Sequence, residues 1–239
     1  MKHWADGDSS PWRPSLTPEE AQLLEHAYAE AIQLGFLGPR ERDRLWDRHL
    51  DDALGLARIR TPAPGERWAD LGSGAGLPGL PLAVAHRATS FTMIDAQRRR
   101  LDWVEAAAQT LRLTNVTVVH ARLEDYARGP ARASFDVATA RALGPLPVVA
   151  ELGLPLLTIG GRLLVPRGQP DPEELEQAAL ACEQLGGRID KVVPNPSSPI
   201  DRVGFVVIMA KIAATSPRFP RRSGVPARTP LGQQRKNQR

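Results

Sequence analysis

The chain has one cysteine, Cys182, among 239 residues. One thiol cannot close an internal disulfide or supply a cysteine-rich metal site. No apolar run approaches the roughly 20 residues that span a bilayer, and the first residues lack the apolar centre of a signal peptide. The expectation is a cytoplasmic protein with no membrane partner. No Ser/His/Asp arrangement and no metal-ligand spacing is evident, so no metal is expected. Acids are missing from residues 216–239, which carry seven Arg or Lys; taking those seven charges from the formal +4 leaves −3 for residues 1–215. The pI of ≈ 9.7 therefore belongs to the tail and not to the body. Such a tail reads either as a solvated arm or as an arm that meets RNA phosphates.

What the chain does have is an organising stretch, Arg67 to Pro81. A short apolar run ends in Asp70-Leu71, glycines follow at Gly72, Gly74 and Gly76, and an apolar segment of helical character runs from Leu77 to Val84. Strand, glycine turn and helix open an α/β nucleotide fold. Gly74, Gly76 and Gly79 satisfy G-x-G-x-x-G, which allows a dinucleotide. Asp70 argues against it, because a carboxylate so close to the turn repels a pyrophosphate and suits a cation. S-adenosyl-L-methionine carries an ammonium and a sulfonium and no phosphate, and Asp-x-Gly-x-Gly-x-Gly looks like motif I of class I methyltransferases.

Four segments follow from composition: a disordered N-terminus (1–16), an N-terminal helical extension (17–60), a cofactor-binding domain (61–215) and a flexible basic tail (216–239). Thr17-Pro18-Glu19-Glu20 starts a helix, which Gly35 ends. A second helix is expected from Pro39 to Leu56, carrying Arg48 and His49. His49 has two readings, a packing residue or a phosphate-facing one. Phe91 to Ile94 is a strand ending in Asp95, an acid placed to accept ribose hydroxyls about 20 residues past the glycine turn. A helix from Gln97 to Leu111 leads to a strand at Val116–Val119. Its exit loop, Arg122-Leu123-Glu124, is where adenine would lie. The strand Phe135–Ala140 ends at Arg141, beyond a carboxyl end where ligands sit; an ordinary ion pair is the alternative. A helix from Leu146 to Leu157, interrupted by Pro147 and Pro155, precedes a strand at Gly161–Val165 and a helix at Glu173–Leu185. Lys191–Pro194 and Val203–Lys211 close the chain as an antiparallel pair. The fold expected is α/β, a Rossmann-like class I methyltransferase with a mostly parallel seven-stranded sheet and an antiparallel closing strand.

These residues resemble the bacterial glucose-inhibited division protein B family from about Leu37 to Leu231. The matching blocks are Leu45-Trp46-Asp47-Arg48-His49-Leu50, Asp70 to Pro81, Arg122-Leu123-Glu124, Asp136 to Ala142, and Phe219-Pro220-Arg221-Arg222 through Pro230-Leu231. The resemblance implies methylation of guanine N7 in the decoding region of small-subunit ribosomal RNA, with that RNA or the small ribosomal subunit as partner; a monomer is expected. It implies that Gly72, Ser73, Gly74, Gly76 and Leu77 line the methionine side of the cofactor. Asp95 would hold the ribose, and Leu123 and Glu124 would meet the adenine. Arg141 would stand between cofactor and base, and Arg141, His49 and Arg122 are the catalytic candidates. Arg48, His49, Arg221 and Arg222 would face RNA. The chain departs from the family pattern at Gly35–Arg44, at Asp52-Ala53 and at Arg167-Gly168, where Arg replaces a Lys of different geometry.

Guanine N7 is a neutral lone pair, so transfer to it requires orientation and no obligatory base. No Asn-Pro-Pro-Tyr motif follows the fourth strand, and Asn195-Pro196 comes too late to serve as one, which disfavours amino-group methylation. Cys182 falls in a late helix, which disfavours a covalent thiol mechanism. A non-catalytic RNA scaffold, a different RNA target and, more weakly, an NAD-dependent oxidoreductase remain as alternatives.

Overall fold

A computed structural model describes residues 16–197 and 204–233. The expected disorder of the first residues, the Pro/Ser loop at 198–203 with the start of its second strand, and the end of the tail lie outside the described residues.

Helix α1 (Pro18–Gln33) begins with a reciprocal capping box. Thr17 Oγ1 accepts from Glu20 N at 3.2 Å, and Glu20 Oε2 accepts from Thr17 N at 2.9 Å, satisfying two donors the first turn leaves open. Its buried residues, Ala21, Leu24, Ala27, Tyr28 and Ala31, form one helical stripe. It ends at Gly35, whose φ is +75°. There Phe36 N donates to Ala31 O and Gly35 N to Ile32 O, a glycine C-cap.

The single helix expected from Pro39 to Leu56 is replaced by three pieces. These are a 3₁₀ segment (Pro39–Arg44), a π-helical turn (Trp46–Leu50) and helix α2 (Asp51–Ile59). A straight α-helix would hold residues eight apart about 12 Å apart along its axis. Here Glu41 and His49 touch, 3.0 Å apart. The changes of pitch bend the chain so that they meet.

Seven strands follow: β1 (Arg67–Leu71), β2 (Ser90–Asp95), β3 (Val116–His120), β4 (Phe135–Thr139), β5 (Leu157–Arg167), β6 (Gly187–Pro194) and β7 (Phe205–Lys211). Their order in the sheet is β3-β2-β1-β4-β5-β7-β6. β1 to β5 pair in parallel, and β7 runs antiparallel between β5 and β6. The mostly parallel sheet with an antiparallel closing strand is as expected, with that strand inserted one place in from the edge.

Helices α3 (Gly79–Ala85), α4 (Arg98–Thr110), α5 (Leu123–Tyr126), α6 (Leu146–Gly153) and α7 (Pro172–Gln184) connect the strands. α3 begins later than the glycine pattern suggested. Pro147 lies at the second position of α6 and does not interrupt it, because the first turn has no use for that N–H. Two cores cover the two sheet faces. Trp68, Phe91 and Met93 pack with Tyr28, Leu50 and Leu80 on one side; Leu71, Ile94 and Leu163 pack with Leu146 and Leu152 on the other. The alternation at Met93 and Ile94 is the strand period of two. The order reverses at β1, between β2 and β4. That opens a crevice at the carboxyl ends of the strands, where the candidate residues collect.

Residues 216–233, expected to be flexible, lie against the body and include a short helix, α8 (Val225–Arg228). Arg128 Nε donates to Pro220 O at 2.9 Å, and Arg132 donates to the carbonyls of Thr215, Ser216 and Phe219. Phe219 is buried in the second core. No helix among the described residues is long and apolar enough to cross a membrane.

Candidate functional site

The glycine turn leaves β1 with Gly72, Gly74 and Gly76 all at positive φ, +65°, +54° and +67°. Side chains disfavour that region. Gly72 is also sterically constrained, since a Cβ there would lie 2.6 Å from Leu143 Cδ1. Ser73 N donates to Ile94 O at 3.0 Å and Gly76 N to Ser73 O at 2.7 Å. Tyr28 of α1 donates its hydroxyl to Gly76 O at 3.2 Å, so the N-terminal extension supports the turn directly. Leu77 is buried, 7% exposed, at the end of the turn. Ser73 Oγ is buried with no hydrogen-bond partner among the described residues.

Asp70 sits on the last turn of β1's pleat and is 2% exposed. Its register partner on β4 is Thr139. Oδ1 accepts from Thr139 Oγ1 at 2.9 Å and Oδ2 from Gly79 N at 3.1 Å. Burial outweighs both bonds and pushes this carboxyl from 3.8 up to about 6. Asp95 ends β2, where the sequence expectation had it. Its Oδ2 accepts from Gly74 N at 2.9 Å and its Oδ1 from Gln97 N at 2.8 Å. One acid thus fixes the start of α3 and the other fixes the middle of the glycine turn.

Across the crevice, Arg141 follows β4 and reaches back to the π-helical turn. Its Nη2 donates to Arg48 O at 3.1 Å and to His49 Nδ1 at 2.8 Å. The other face of the imidazole meets Glu41: His49 Nε2 is 3.0 Å from Oε2, while Arg48 Nη1 donates to Oε1, also at 3.0 Å. Burial first, then Arg141, lowers the proton affinity of His49 below its ordinary value; Glu41 opposes this. That shift, together with a guanidinium donating to Nδ1, favours the neutral imidazole. Arg141 Nη1 is buried and has no hydrogen-bond partner among the described residues. The loop beyond Arg141 is held by Arg167, whose Nη2 donates to Gly144 O and Glu174 Oε1, each at 2.8 Å.

Arg122 caps α5 and is exposed. Leu123 and Glu124 are buried, but Glu124 Oε1 accepts from Gly224 N of the tail at 2.8 Å. The Arg221-Arg222 pair is divided. Arg222 is exposed. Arg221, expected to face RNA, is bonded within the protein: its guanidinium donates from Nε and Nη2 to Glu151, and its backbone N donates there as well. Glu151 is 0% exposed, and a carboxylate there requires a cation.

Sequence reasoning did not identify Glu41, Thr139, Tyr28 or Glu151. Thr139 could have been found from the parallel pairing of the two strands beside the switch point. The other three depend on contacts whose partners are far apart in sequence or on an irregular helix.

Residues 22–197 match the family model described as rRNA small subunit methyltransferase G. The chain is 42% identical over 193 residues to the ribosomal RNA small subunit methyltransferase G of Chloroflexus aggregans, covering 80% of each. It is 36% identical over 236 residues to that of a Synechococcus strain, covering 93% of this chain and 88% of the relative. Among solved structures, a SAM dependent methyltransferase from Aquifex aeolicus superposes with a TM-score of 0.54 at 18% identity, over 77% of this chain and 98% of its own. That last likeness is one of fold.

Proposed function

Because the chain belongs to the rRNA small subunit methyltransferase G family, we propose that it methylates guanine N7 in the decoding region of bacterial small-subunit ribosomal RNA, as a cytoplasmic monomer. It is an S-adenosylmethionine-dependent methyltransferase acting on small-subunit ribosomal RNA. The observation that carries the N7 reading is the pairing of Arg141 with His49 across the crevice from Asp70. The site holds a cation and a neutral imidazole whose lone pair is already taken, and so offers orientation rather than a free base.

The residues suit the cofactor. Asp70, buried and held near a pKa of about 6, gains from a nearby cation. Ser73 Oγ is a buried hydroxyl awaiting a partner. Gly72, Gly74, Gly76 and Leu77 would line the methionine portion with Ser73. Asp95, whose oxygens each accept one backbone bond, keeps lone pairs for ribose hydroxyls. Leu123 and Glu124 would border the adenine. When bound, S-adenosylmethionine supplies a methyl group on a positively charged sulfur.

The chain's own part is placement. Arg141 would meet the target base with Nη1, the donor without a partner among the described residues, once RNA binding uncovers it. Arg48, Arg122 and His49 would set the RNA around it, and exposed Arg222 would meet phosphate. The N7 lone pair needs no prior deprotonation, so no residue has to take a proton before transfer, and desolvation with alignment supplies the rate.

The test is transfer of labelled methyl from S-adenosylmethionine to small subunits lacking the modification, followed by nucleoside analysis. Labelled 7-methylguanosine mapped to the decoding region is the expected result. Label in another nucleoside would overturn the N7 target. Cofactor binding without any transfer would favour a scaffold.

A further inference from the structure

We propose that Glu41 is a positioning residue for methyl transfer, holding His49 in the orientation and tautomer that aim Arg141 at the reacting groups. This rests on the reading of Arg141 and His49 given above.

A guanidinium can only donate. At 2.8 Å from Arg141 Nη2, His49 Nδ1 must therefore be the bare nitrogen, and its proton must be on Nε2. Nε2 is 3.0 Å from Glu41 Oε2, which accepts that proton's hydrogen bond. The ring is pinned at both ends, with a fixed direction of donation from Arg141 to His49 to Glu41. Which ring nitrogen carries the proton is set by the hydrogen bonds the ring makes, and here Glu41 holds the proton on Nε2. Without Glu41 the ring can turn, and the Nδ1–H form brings two N–H groups face to face and dislodges the guanidinium.

The consequence falls on Arg141 Nη1. Nη2 is occupied twice, by Arg48 O and His49 Nδ1, and Nη1 is buried without a partner among the described residues. A buried N–H left unpaired costs free energy that a ligand's acceptor would recover. His49 and Glu41 decide where Nη1 points. Glu41 also takes Arg48 with its second oxygen, so one carboxylate orders two of the RNA-facing candidates. The charged groups around His49 are Arg141, Glu41 and Arg48. The Glu41 side chain is 18% exposed and that of His49 9% exposed, more enclosed than a surface pair whose contribution solvent removes. In this chain the 3₁₀ and π-helical pieces bring residue 41 to residue 49.

The experiment combines three readouts on the full chain. ¹⁵N shifts of His49 distinguish a protonated from a bare ring nitrogen. Calorimetry with S-adenosylmethionine reports folding and cofactor affinity. Single-turnover transfer to unmethylated small subunits, with RNA saturating, reports placement. In the wild type, Nδ1 is expected bare and Nε2 protonated. In Glu41→Ala, the single-tautomer pattern is expected to be lost and the transfer rate to fall about tenfold, with cofactor affinity unchanged. Glu41→Gln, whose carbonyl can still accept from Nε2–H, should recover part of both. A Glu41→Ala variant with the wild-type nitrogen pattern or the wild-type rate overturns the proposal. His49→Ala separates the two levels. If it is slow while Glu41→Ala is fast, the role of Glu41 alone is lost. If it transfers at the wild-type rate, the reading of the site is lost and this proposal with it.

Discussion

Arg221 and Glu151 are joined by hydrogen bonds of 2.9 Å from Nε and 2.6 Å from Nη2 across 70 residues of sequence. Glu151 is on α6, immediately after the loop that carries Arg141, and the pair fastens the C-terminal segment to that helix. Glu124 does the same from α5 through Gly224 N. The segment is thus fastened to both α5 and α6, the helices that follow β3 and β4.

The two neighbouring arginines of the tail should therefore behave differently. Arg221→Ala leaves a fully buried carboxylate unpaired, and loss of one partner from such a pair costs about 3 kcal/mol. The urea midpoint of the variant should fall accordingly. Arg222→Ala, at an exposed position, should leave the midpoint in place, weaken RNA binding and lower the salt slope of that binding by about 1. Equal stability in the two variants would contradict the division.

Asp70 gives a pH dependence whose sign can be worked out. Its folded pKa, about 6, lies above the ordinary 3.8, so between those values the folded chain holds the proton more tightly than the unfolded one. Stability then falls as pH rises through that window, and the ionised acid costs on the order of 3 kcal/mol at neutral pH. Asp70→Asn can keep both hydrogen bonds, with its carbonyl accepting from Gly79 N and its amide donating to Thr139 Oγ1. The variant should melt higher than the wild type at pH 7 and lose that advantage below about pH 4. It should also bind S-adenosylmethionine more weakly, because the charge that favours a cation is gone. Calorimetry across pH 5 to 8 should show wild-type affinity declining toward the acid end.

The part of this site that was legible in the sequence is the part built from neighbours. Asp70, the alternating glycines and Asp95 announce themselves because strand, turn and helix follow one another and spacing alone sets their relation. Arg141 was legible for the same reason, as a strand's exit. Glu41 was not, because a continuous helical pattern conceals two changes of pitch. Arg221 was assigned to RNA because its partner is 70 residues earlier, in a helix read only for its extent and its prolines. Glu124 was assigned to adenine without sight of Gly224, 100 residues on. Local periodicity records which face is buried; it does not record which buried charge meets which.

Arg141→Ala should reduce single-turnover transfer with saturating RNA by about a hundredfold or more, the scale expected when a placing group is lost. Cofactor affinity should change little, since the glycine turn and both acids are held by other bonds. Arg141→Lys keeps the charge but cannot bond Arg48 O and His49 Nδ1 while presenting a second planar donor, and should recover only a small part of the rate. Normal turnover in Arg141→Ala would remove this residue from the transfer site.

Gly72 lies against the side chain of Leu143, and a double-mutant cycle can measure whether the two positions are coupled. Gly72→Ala introduces two separate penalties. The first is conformational, a side chain at φ +65°, worth about 1–2 kcal/mol. The second is steric, because the new Cβ would lie 2.6 Å from Leu143 Cδ1. Leu143 Cδ1 is the far end of a flexible side chain, so a turn of that side chain relieves the overlap at little cost and leaves the loop that carries Arg141 in place. The single variant should therefore lose cofactor affinity, roughly tenfold or about 1.4 kcal/mol, through the φ penalty, and keep most of its transfer rate. Leu143→Ala removes the overlapping atoms and leaves the φ penalty. In the double variant the affinity should stay low, giving an interaction term near zero. A large interaction term would mean that the overlap with Leu143, and not the backbone conformation of Gly72, carries the effect.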